Sequence, residues 1–437
     1  MAITIIDQPT TFAKVGQKLI VASTSTNVAE PNFRYVVAVK DELDNTLVSE
    51  LLIPPNPSNR LMVELSNILK DYVKIEPYNP NSERSYISAQ SNVSVETELL
   101  NCIKHFTIEV SEGYDVDGVF TIDTESAVDT TEIVVINASY KVKDGYKPDP
   151  NLIYSFTSTT SRLLGGRKWY THKPINFPIG TSIFNEQIIY IPVRKSELDW
   201  GTISLIAQDS GQTALTTTND PVLRMTIYDS SGAPSSTTYG AWVNLDIGFI
   251  GVYPANLNAH GELLRPADFP NWRWYDIAMY DSTNTTRKSA IYRFYPVEDD
   301  CRHDNVRLAW WHPEYGGWDF FNFSKKNEES LEVDRKRVKK VVGTYAASTF
   351  SFQPFDRELA EGMVSQVDYI NITTDWLSEG EFELLGSLIA SRSVYIVKDD
   401  GALIPVLVEE SSYTKRTIRE AKQYNYSMKL RYSQQFM

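Results

Sequence analysis

Two neighbouring segments, VRLAWW at 306–311 and WDFFNF at 318–323, constrain the fold of this chain most strongly. Side chains alternate between the two faces of a strand, and in both segments each face carries large apolar side chains. In the first segment Val306, Leu308 and Trp310 share one face and Arg307, Ala309 and Trp311 the other; in the second, Trp318 and Phe320 oppose Asp319, Phe321 and Phe323. A strand with one face in water alternates apolar with polar residues, so these segments predict a sheet that is covered on both sides.

A double glycine stands directly before the second segment. Gly316 and Gly317 are predicted to supply the positive φ angles of a tight hairpin, because glycine adopts this backbone region without steric cost. The side chains of Trp318, Phe320 and Phe323 are then expected to fill both faces of the returning strand.

The aromatic side chains around this hairpin allow three interpretations. They could form a surface that stacks on sugar rings, they could anchor a protein interface, or they could be core residues. The tryptophans concerned are Trp272, Trp274, Trp310, Trp311 and Trp318. Because the strand pattern is apolar on both faces, core and interface positions are favoured over a sugar-binding platform.

The rest of the chain reads mostly as strands separated by turn signals, and the predicted class is mainly β (α+β). With roughly 150 residues per domain as a prior, 437 residues suggest three domains. Residues 1–146 are predicted to form an N-terminal β-sandwich and 147–298 a central β-sandwich with long Ser/Thr-rich loops. Residues 299–437 are predicted to form a C-terminal α+β domain. The first boundary is placed in the Pro- and Gly-containing loop KDGYKPDPN at 143–151.

A few local signals predict individual elements. Helices are expected at 64–73 and at 379–391, the second with a capping box formed by Ser378 and Glu381. Turn signals stand at Gly113, at Asp117-Gly118 and at Asp400-Gly401. The last strand alternates clearly, with Tyr424, Tyr426, Met428, Leu430 and Tyr432 on one face.

The amino-acid composition favours a binding or structural protein over an enzyme. The net charge is −14, which disfavours general binding to phosphate backbones. Only five histidines and two cysteines are present, which leaves little material for acid–base or metal chemistry, so neither an enzyme nor a cofactor is predicted. The N-terminal residues lack the pattern of a signal peptide, and no apolar run is long enough to predict a membrane span.

Several short motifs resemble sites without the spacing that the chemistry requires. Cys102-x-x-His105 and Cys301-x-His303 offer four zinc ligands, but Cys102 and His105 are expected to point to opposite faces of a strand. Asp209-Ser210-Gly211 has no supporting histidine motif and is interpreted as a turn. The glycines of 163–168 do not have phosphate-loop spacing, and the acidic groups at 298–300 and 399–400 do not have that of a calcium loop.

One strongly basic stretch, DRKRVKK at 334–340, stands out on this acidic chain. It is interpreted as an inter-subunit contact or a solvated strand edge, with non-specific contact to DNA in a channel as a weaker alternative. The predicted interface residues are Arg335, Lys336, Arg337, Lys339 and Lys340.

Three parts of the chain resemble a known family. The string CRHDNVRLAWWHPEYGGWDFFNF at 301–323, followed by Lys326, Glu329 and Arg335, resembles virion structural proteins of tailed bacteriophages. These proteins come from crAss-like phages that infect Bacteroidota and from related phages. The C-terminal segments 375–397 and 403–416 and the N-terminal segments 8–25 and 32–39 are similar to the same family. The turn His312-Pro313-Glu314 departs from the regular turn expected there.

The resemblance implies a non-enzymatic subunit of the virion tail or neck, made in the host cytoplasm. Such a subunit forms a homo-oligomeric ring, collar or baseplate-like hub around the DNA channel, with copies of itself and other tail or neck proteins as partners. The alternative from another class is a carbohydrate-binding adhesin or a glycan hydrolase that acts at the host surface.

Overall fold

The computed structural model shows a chain built mostly of strands arranged in several sheets, as the sequence predicts. It describes residues 3–9, 12–42, 45–75, 77, 87, 103–130, 132–139, 155–156, 162–163, 188–206, 222–241, 247–260, 264–280, 285, 291–299, 303–314, 316–346, 349–351, 353–355, 357–375, 377, 379–409 and 425–434. The predicted boundary loop at 143–151 lies outside these residues. Within them, no helix is long and apolar enough to cross a bilayer.

The N-terminal part is a sandwich of two sheets. The smaller sheet has the order β1-β3-β6, with β1 Ile3–Asp7, β3 Ile20–Ser25 and β6 Arg60–Glu64. The larger sheet has the order β2-β9-β7-β4-β5, and β8 also pairs with β7. Its strands are β2 Phe12–Lys14, β4 Arg34–Asp41, β5 Leu47–Ile53, β7 Ile103–Val116, β8 Val119–Asp129 and β9 Ile133–Ile136. The two sheets enclose one apolar core, in which Val21 and Leu61 meet Tyr35, Val37 and Phe106.

One of the two turn predictions in this sandwich is confirmed and the other is wrong. Asp117 and Gly118 join β7 to β8 with φ angles of +52° and +81°, as in a tight hairpin turn. Gly113 instead lies inside β7, opposite Ile122. A Cβ atom at Gly113 would lie 2.5 Å from the ring of Phe120, so the glycine makes room for an aromatic ring and does not turn the chain.

The central part contains two more sheets. The four-stranded sheet has the order β10-β11-β13-β16, with β10 Ser155–Phe156, β11 Arg162–Leu163, β13 Thr202–Ile206 and β16 Ile247–Gly251. The five-stranded sheet has the order β12-β18-β17-β14-β15, with β12 Ile188–Arg194, β14 Val222–Tyr228, β15 Pro234–Ala241, β17 Trp274–Tyr280 and β18 Ile291–Val297. Strands β17 and β18 pair antiparallel, whereas β12 and β18 run parallel. A short helix at Pro254–His260 (α2) and a 3-10 turn at Pro266–Asp268 were not predicted.

The C-terminal part is an antiparallel seven-stranded sheet with a helix on one face. Its order is β20-β19-β25-β26-β27-β24-β21, with β19 Val306–Trp311, β20 Trp318–Phe323, β21 Glu328–Lys339, β24 Leu359–Thr373, β25 Val394–Val397, β26 Leu403–Val408 and β27 Ser427–Tyr432. The helix is α3, Glu379–Ile389. Between β21 and β24 lies a small hairpin of β22 Thr344–Ala346 and β23 Thr349–Ser351.

The local predictions for this region and for the first helix have mixed outcomes. Helix α1 covers only Ser66–Leu69, so the predicted helix at 64–73 was too long. Helix α3 begins at Glu379 as predicted and ends two residues early, while its predicted cap Ser378 is outside the described residues. The Asp400-Gly401 hairpin is confirmed, with Gly401 at φ +84°. In the predicted last strand the alternation holds for Tyr426, just before β27, and for Met428 and Leu430 within it, all buried.

Strands β19 and β20 are covered on both sides, as their sequence predicts. Leu308 and Trp310 pack with Leu385 of α3 on one side. On the other side, Trp311 and Trp318 belong to a cluster that also contains residues from the central sheets. That cluster includes Ile136 of β9, Ile277 of β17 and Phe320 of β20, so the three predicted regions share one apolar core.

Candidate interaction surface

The double glycine lies in the connection between β19 and β20. Gly316 and Gly317 have φ angles of +76° and +80°, and Trp311 pairs with Trp318 across the hairpin. The connection spans residues 312–317, so it is longer than a two-residue turn; it is closed by the amide of His312, which donates to the carbonyl of Gly317 at 2.9 Å. The glycines therefore serve the fold rather than a pocket.

The tryptophans proposed for a sugar-stacking surface are not available to a ligand. Trp274, Trp310, Trp311 and Trp318 are no more than 1% exposed, and Trp272 is half-buried against the same core. Trp310 donates its indole N–H to Ser387 Oγ at 2.9 Å and Trp311 donates to the carbonyl of Asn137 at 2.6 Å. The four buried side chains are core residues, and those of Trp310 and Trp311 satisfy their indole N–H groups inside the protein.

The short motifs do not assemble into a site within the described residues. Cys102, Cys301 and Asp209-Ser210-Gly211 lie outside them. His105 is buried and hydrogen-bonded to Glu132, and this bond lowers the pKa of the glutamate. The acidic group at 399–400 makes structural contacts, since Asp399 accepts a hydrogen bond from Arg194 at 2.8 Å. Within the described part of the chain, no group of three or more His, Cys, Asp and Glu side chains is arranged to hold a metal ion.

The most unusual feature of the surface is a long two-stranded arm. Strand β24 pairs with β27 only over Tyr369–Thr373, whereas it pairs with β21 from Leu359 to Asn371. From Asp368 to Leu359, β24 therefore has β21 as its one neighbour in the described sheet. At about 3.3 Å per residue, these ten residues span about 33 Å. We call this part of β21 and β24, together with the β22–β23 hairpin, the arm.

The arm exposes large apolar side chains to an unusual degree. Every residue of β21 is exposed. Of the 19 exposed large apolar side chains among the described residues, nine belong to the arm: Leu331, Val333, Val338, Val341, Phe350, Phe355, Leu359, Met363 and Val364. Val341 is 93% exposed and Phe355 78%. Exposed apolar clusters of this kind mark protein interaction sites, whereas single exposed apolar residues do not.

The predicted basic residues all lie on the arm, but they are not equivalent. Arg335 Nη1 lies 2.8 Å from both carboxylate oxygens of Glu361, and this hydrogen bond lowers the pKa of the glutamate. Lys339 Nζ lies 2.8 Å from Glu358, which directly precedes β24. Lys336, Arg337 and Lys340 have no carboxylate within ion-pair distance among the described residues. Arg337 lies opposite Glu361 in the ladder and contributes to the lowered pKa of that glutamate, so three of the five predicted interface cations act on carboxylates of the arm, while Lys336 and Lys340 share the other face of the strand.

A groove lies at the base of the arm, on the sheet face that α3 covers. It has a volume of about 500 Å³ and is lined by Glu329, Ser330, Leu331, Asp368, Tyr369, Ile404, Tyr432 and Gln434. Met428 and Leu430 of β27 are buried with α3, while Tyr432, two residues further on the same face, is only half-buried. The groove is the continuation of this apolar face beyond the helix.

Two carboxylates give the groove a negative character. Burial raises the pKa of the Tyr432 hydroxyl, and Glu329 and Asp368 raise it further. Neither carboxylate has a cationic partner among the described residues. On the opposite face of the sheet, by contrast, Glu332 is paired with Lys429 at 2.9 Å.

The sequence alone predicts the basic run on the arm but not the groove at its base. The groove joins residues from four strands that are up to 105 positions apart, from Glu329 to Gln434, and no local sequence signal marks it. No protein-family model and no curated protein sequence matches this chain.

Proposed function

We propose that this chain is a structural virion protein of a tailed bacteriophage. It forms a homo-oligomeric ring in the neck or tail, joins neighbouring components and surrounds the DNA channel. The observation that carries the proposal is the arm, which exposes nine large apolar side chains and a run of basic side chains to solvent. The resemblance of residues 301–323 and of both ends of the chain to phage virion proteins supports the choice of virion and ring.

The exposed side chains of the arm favour association of several subunits over a single subunit in solution. A two-stranded ribbon is marginally stable alone in water, because it lacks a third strand or a packed face. Full burial of one large apolar side chain contributes about 1.5–3 kcal/mol, so covering a few of the nine exposed ones favours association substantially. A neighbouring subunit provides such a cover.

A projecting arm also favours a ring. The arm reaches beyond its own subunit and contacts a surface on the next subunit that differs from itself, which makes the contact heterologous. When the rotation between subunits closes, repetition of such a contact gives a ring.

The charge of the chain agrees with a channel for DNA. A net charge of −14 makes the average surface repel phosphate backbones, so DNA passes without adhering. The neutralisation of Arg335 and Lys339 by Glu361 and Glu358 reduces the basic surface that DNA could contact. This favours a protein contact over DNA contact for the basic run.

The test compares the full chain with a variant that lacks the arm. Deletion of residues 333–366 and insertion of Asn-Gly joins Glu332 to Val367, which face each other in the ladder, through a two-residue hairpin turn. Sedimentation velocity over a range of concentrations, with electron microscopy of the largest species, measures the assembly. We expect closed oligomers from the full chain and monomers from the variant. A full chain that stays monomeric and binds glycans on an array would overturn the proposal in favour of an adhesin.

A further inference from the structure

We propose that the groove at the base of the arm receives the distal arm of a second copy of this chain. Lys336 and Lys340, which are four positions apart and share one face of the arm, then face Glu329 and Asp368 of the next subunit. This inference rests on the proposed self-assembly and adds the surface on which it takes place.

The two surfaces are complementary in charge. The groove holds two carboxylates, Glu329 and Asp368, and neither has a cationic partner among the described residues. On the face opposite to Arg335, Arg337 and Lys339, the arm carries Lys336 and Lys340, and neither has a carboxylate within ion-pair distance among the described residues. Matching the two sets neutralises charges that one isolated subunit leaves unmatched.

The two surfaces are also complementary in polarity. Leu331, Ile404 and Tyr432 give the groove an apolar floor. Close to the unpaired cations, the arm exposes Val338, Val341 and Leu359, at 49%, 93% and 60%. An interface with apolar side chains at its centre and ion pairs at its rim is the usual arrangement between proteins.

The arm of a subunit does not reach that subunit's own groove. Glu329 and Leu331 are part of β21 itself, and Lys336 follows Glu329 by seven positions along the same strand. At about 3.3 Å per residue, an extended strand places these two residues about 23 Å apart. An arm that occupies the groove therefore comes from another copy.

The resulting contact runs from head to tail. Each subunit gives its arm to one neighbour and receives an arm from another, so donor and acceptor surfaces differ. This is the contact that a closed ring requires, and it predicts how mixtures of variants behave.

The first experiment reverses charges on each surface. Glu329→Lys with Asp368→Lys places like charges opposite the arm, and we expect the dissociation constant for self-association to rise at least about 100-fold. Lys336→Glu with Lys340→Glu has the same effect from the other side. The four changes combined restore association. The control, Glu50→Lys with Glu125→Lys, alters two exposed carboxylates of the N-terminal sandwich and leaves association unchanged.

The second experiment mixes two variants that each lack one surface. The chain without residues 333–366 keeps a groove and has no arm, whereas the Glu329→Lys, Asp368→Lys chain keeps an arm and has no functional groove. Each alone is monomeric, and an equal mixture gives one-to-one heterodimers that do not grow further. Circular dichroism and thermal unfolding verify that both variants are folded.

The outcomes separate this inference from the proposed function. If the full chain assembles and the Glu329→Lys, Asp368→Lys variant assembles equally well, the arm binds elsewhere and this inference is wrong, while self-assembly stands. If the full chain remains monomeric at all concentrations, self-assembly and this inference both fail. Restoration by the four changes combined, together with capped heterodimers, supports it.

Discussion

Arg307 Nη1 lies 3.4 Å from Asp199 Oδ2, and both side chains are almost completely removed from water. Arg307 belongs to β19, whereas Asp199 lies in the segment between β12 and β13, so the pair joins the C-terminal sheet to the central sheets. Asp199 also accepts hydrogen bonds from Arg194 Nε at 2.6 Å and from Asn322 Nδ2 at 2.7 Å. The guanidinium of Arg307 lies 4.6 Å from the ring centre of Tyr253, which covers it from the side.

Removal of Arg307 is expected to destabilise the chain strongly. Arg307→Met leaves the buried carboxylate of Asp199 with less compensating charge, and breaking a buried ion pair costs about 3–5 kcal/mol. The measurement is the free energy of unfolding in denaturant. The matched control is Arg265→Met, because the Arg265–Asp268 pair is half-exposed and such pairs contribute at most about 1 kcal/mol. Equal effects of the two substitutions would show that the buried network does not stabilise the fold.

The same carboxylate predicts a dependence of stability on pH. Burial by itself raises the pKa of Asp199, but Arg307, Arg194 and the hydrogen bonds outweigh it and hold the pKa below the ordinary value of 3.8. The stabilisation is therefore complete above that value and is lost as the pH falls through the lower pKa of the folded state. We expect Asp199→Asn to be less stable than the unchanged chain at neutral pH. This difference in unfolding free energy should narrow below pH 3.8; a constant difference would contradict the ion-pair account.

Gly316 offers a test of how backbone strain and crowding add. Gly316→Ala places a side chain at φ +76°, which costs about 1–2 kcal/mol for a non-glycine residue. The new methyl group also collides with the side chain of Ile136, and such overpacking costs about 1–3 kcal/mol more. Gly118 has φ +81° with open space around it, so Gly118→Ala measures the strain alone. Chemical denaturation should show the larger loss for Gly316→Ala, and equal losses would mean that Ile136 moves aside freely.

The sequence predicted the elements whose pattern is local. The apolar faces of β19 and β20 and the hairpin at Asp400-Gly401 could be read from a few neighbouring letters, because side-chain alternation and turn chemistry act over such short ranges. The turn predicted at Gly113 is wrong. The ring of Phe120 occupies the space beside this glycine, and it lies there only because β7 pairs with β8.

Long-range features could not be predicted in the same way. The parallel pairing of β12 with β18 joins residues about a hundred positions apart, such as Ile188 and Ile291, and no turn signal connects them. The basic run at 334–340 was found, but its division into paired and unpaired cations depends on which carboxylates β24 places opposite it. The shared core of the three predicted regions is likewise a product of packing and not of local pattern.

Trp318 provides a test of the core interpretation of the aromatic cluster. Its ring lies edge-on to Trp311 at 5.6 Å and to Tyr395 at 5.8 Å, and the side chain is 1% exposed. Trp318→Ala should cost about 3–5 kcal/mol of unfolding free energy, because it leaves a large cavity. Trp318→Phe keeps most of the volume and should cost clearly less. A Trp318→Ala chain of unchanged stability that had lost affinity for a glycan would instead identify a sugar-binding surface.

The tip of the arm should separate association from stability. Val341 and Phe355 are 93% and 78% exposed, so they contribute almost no burial to the fold of a single subunit. Val341→Asp with Phe355→Asp is therefore expected to change the unfolding free energy of the monomer by no more than about 0.5 kcal/mol per site. The same pair of substitutions should weaken self-association, because it places carboxylates where apolar side chains meet a neighbouring subunit. Sedimentation velocity measures self-association and thermal unfolding measures stability.

The control is Val119→Asp beside the β7–β8 turn, where the valine is 66% exposed. This substitution should leave both self-association and stability unchanged. An equal loss of association from Val119→Asp would show that the arm has no special part in assembly.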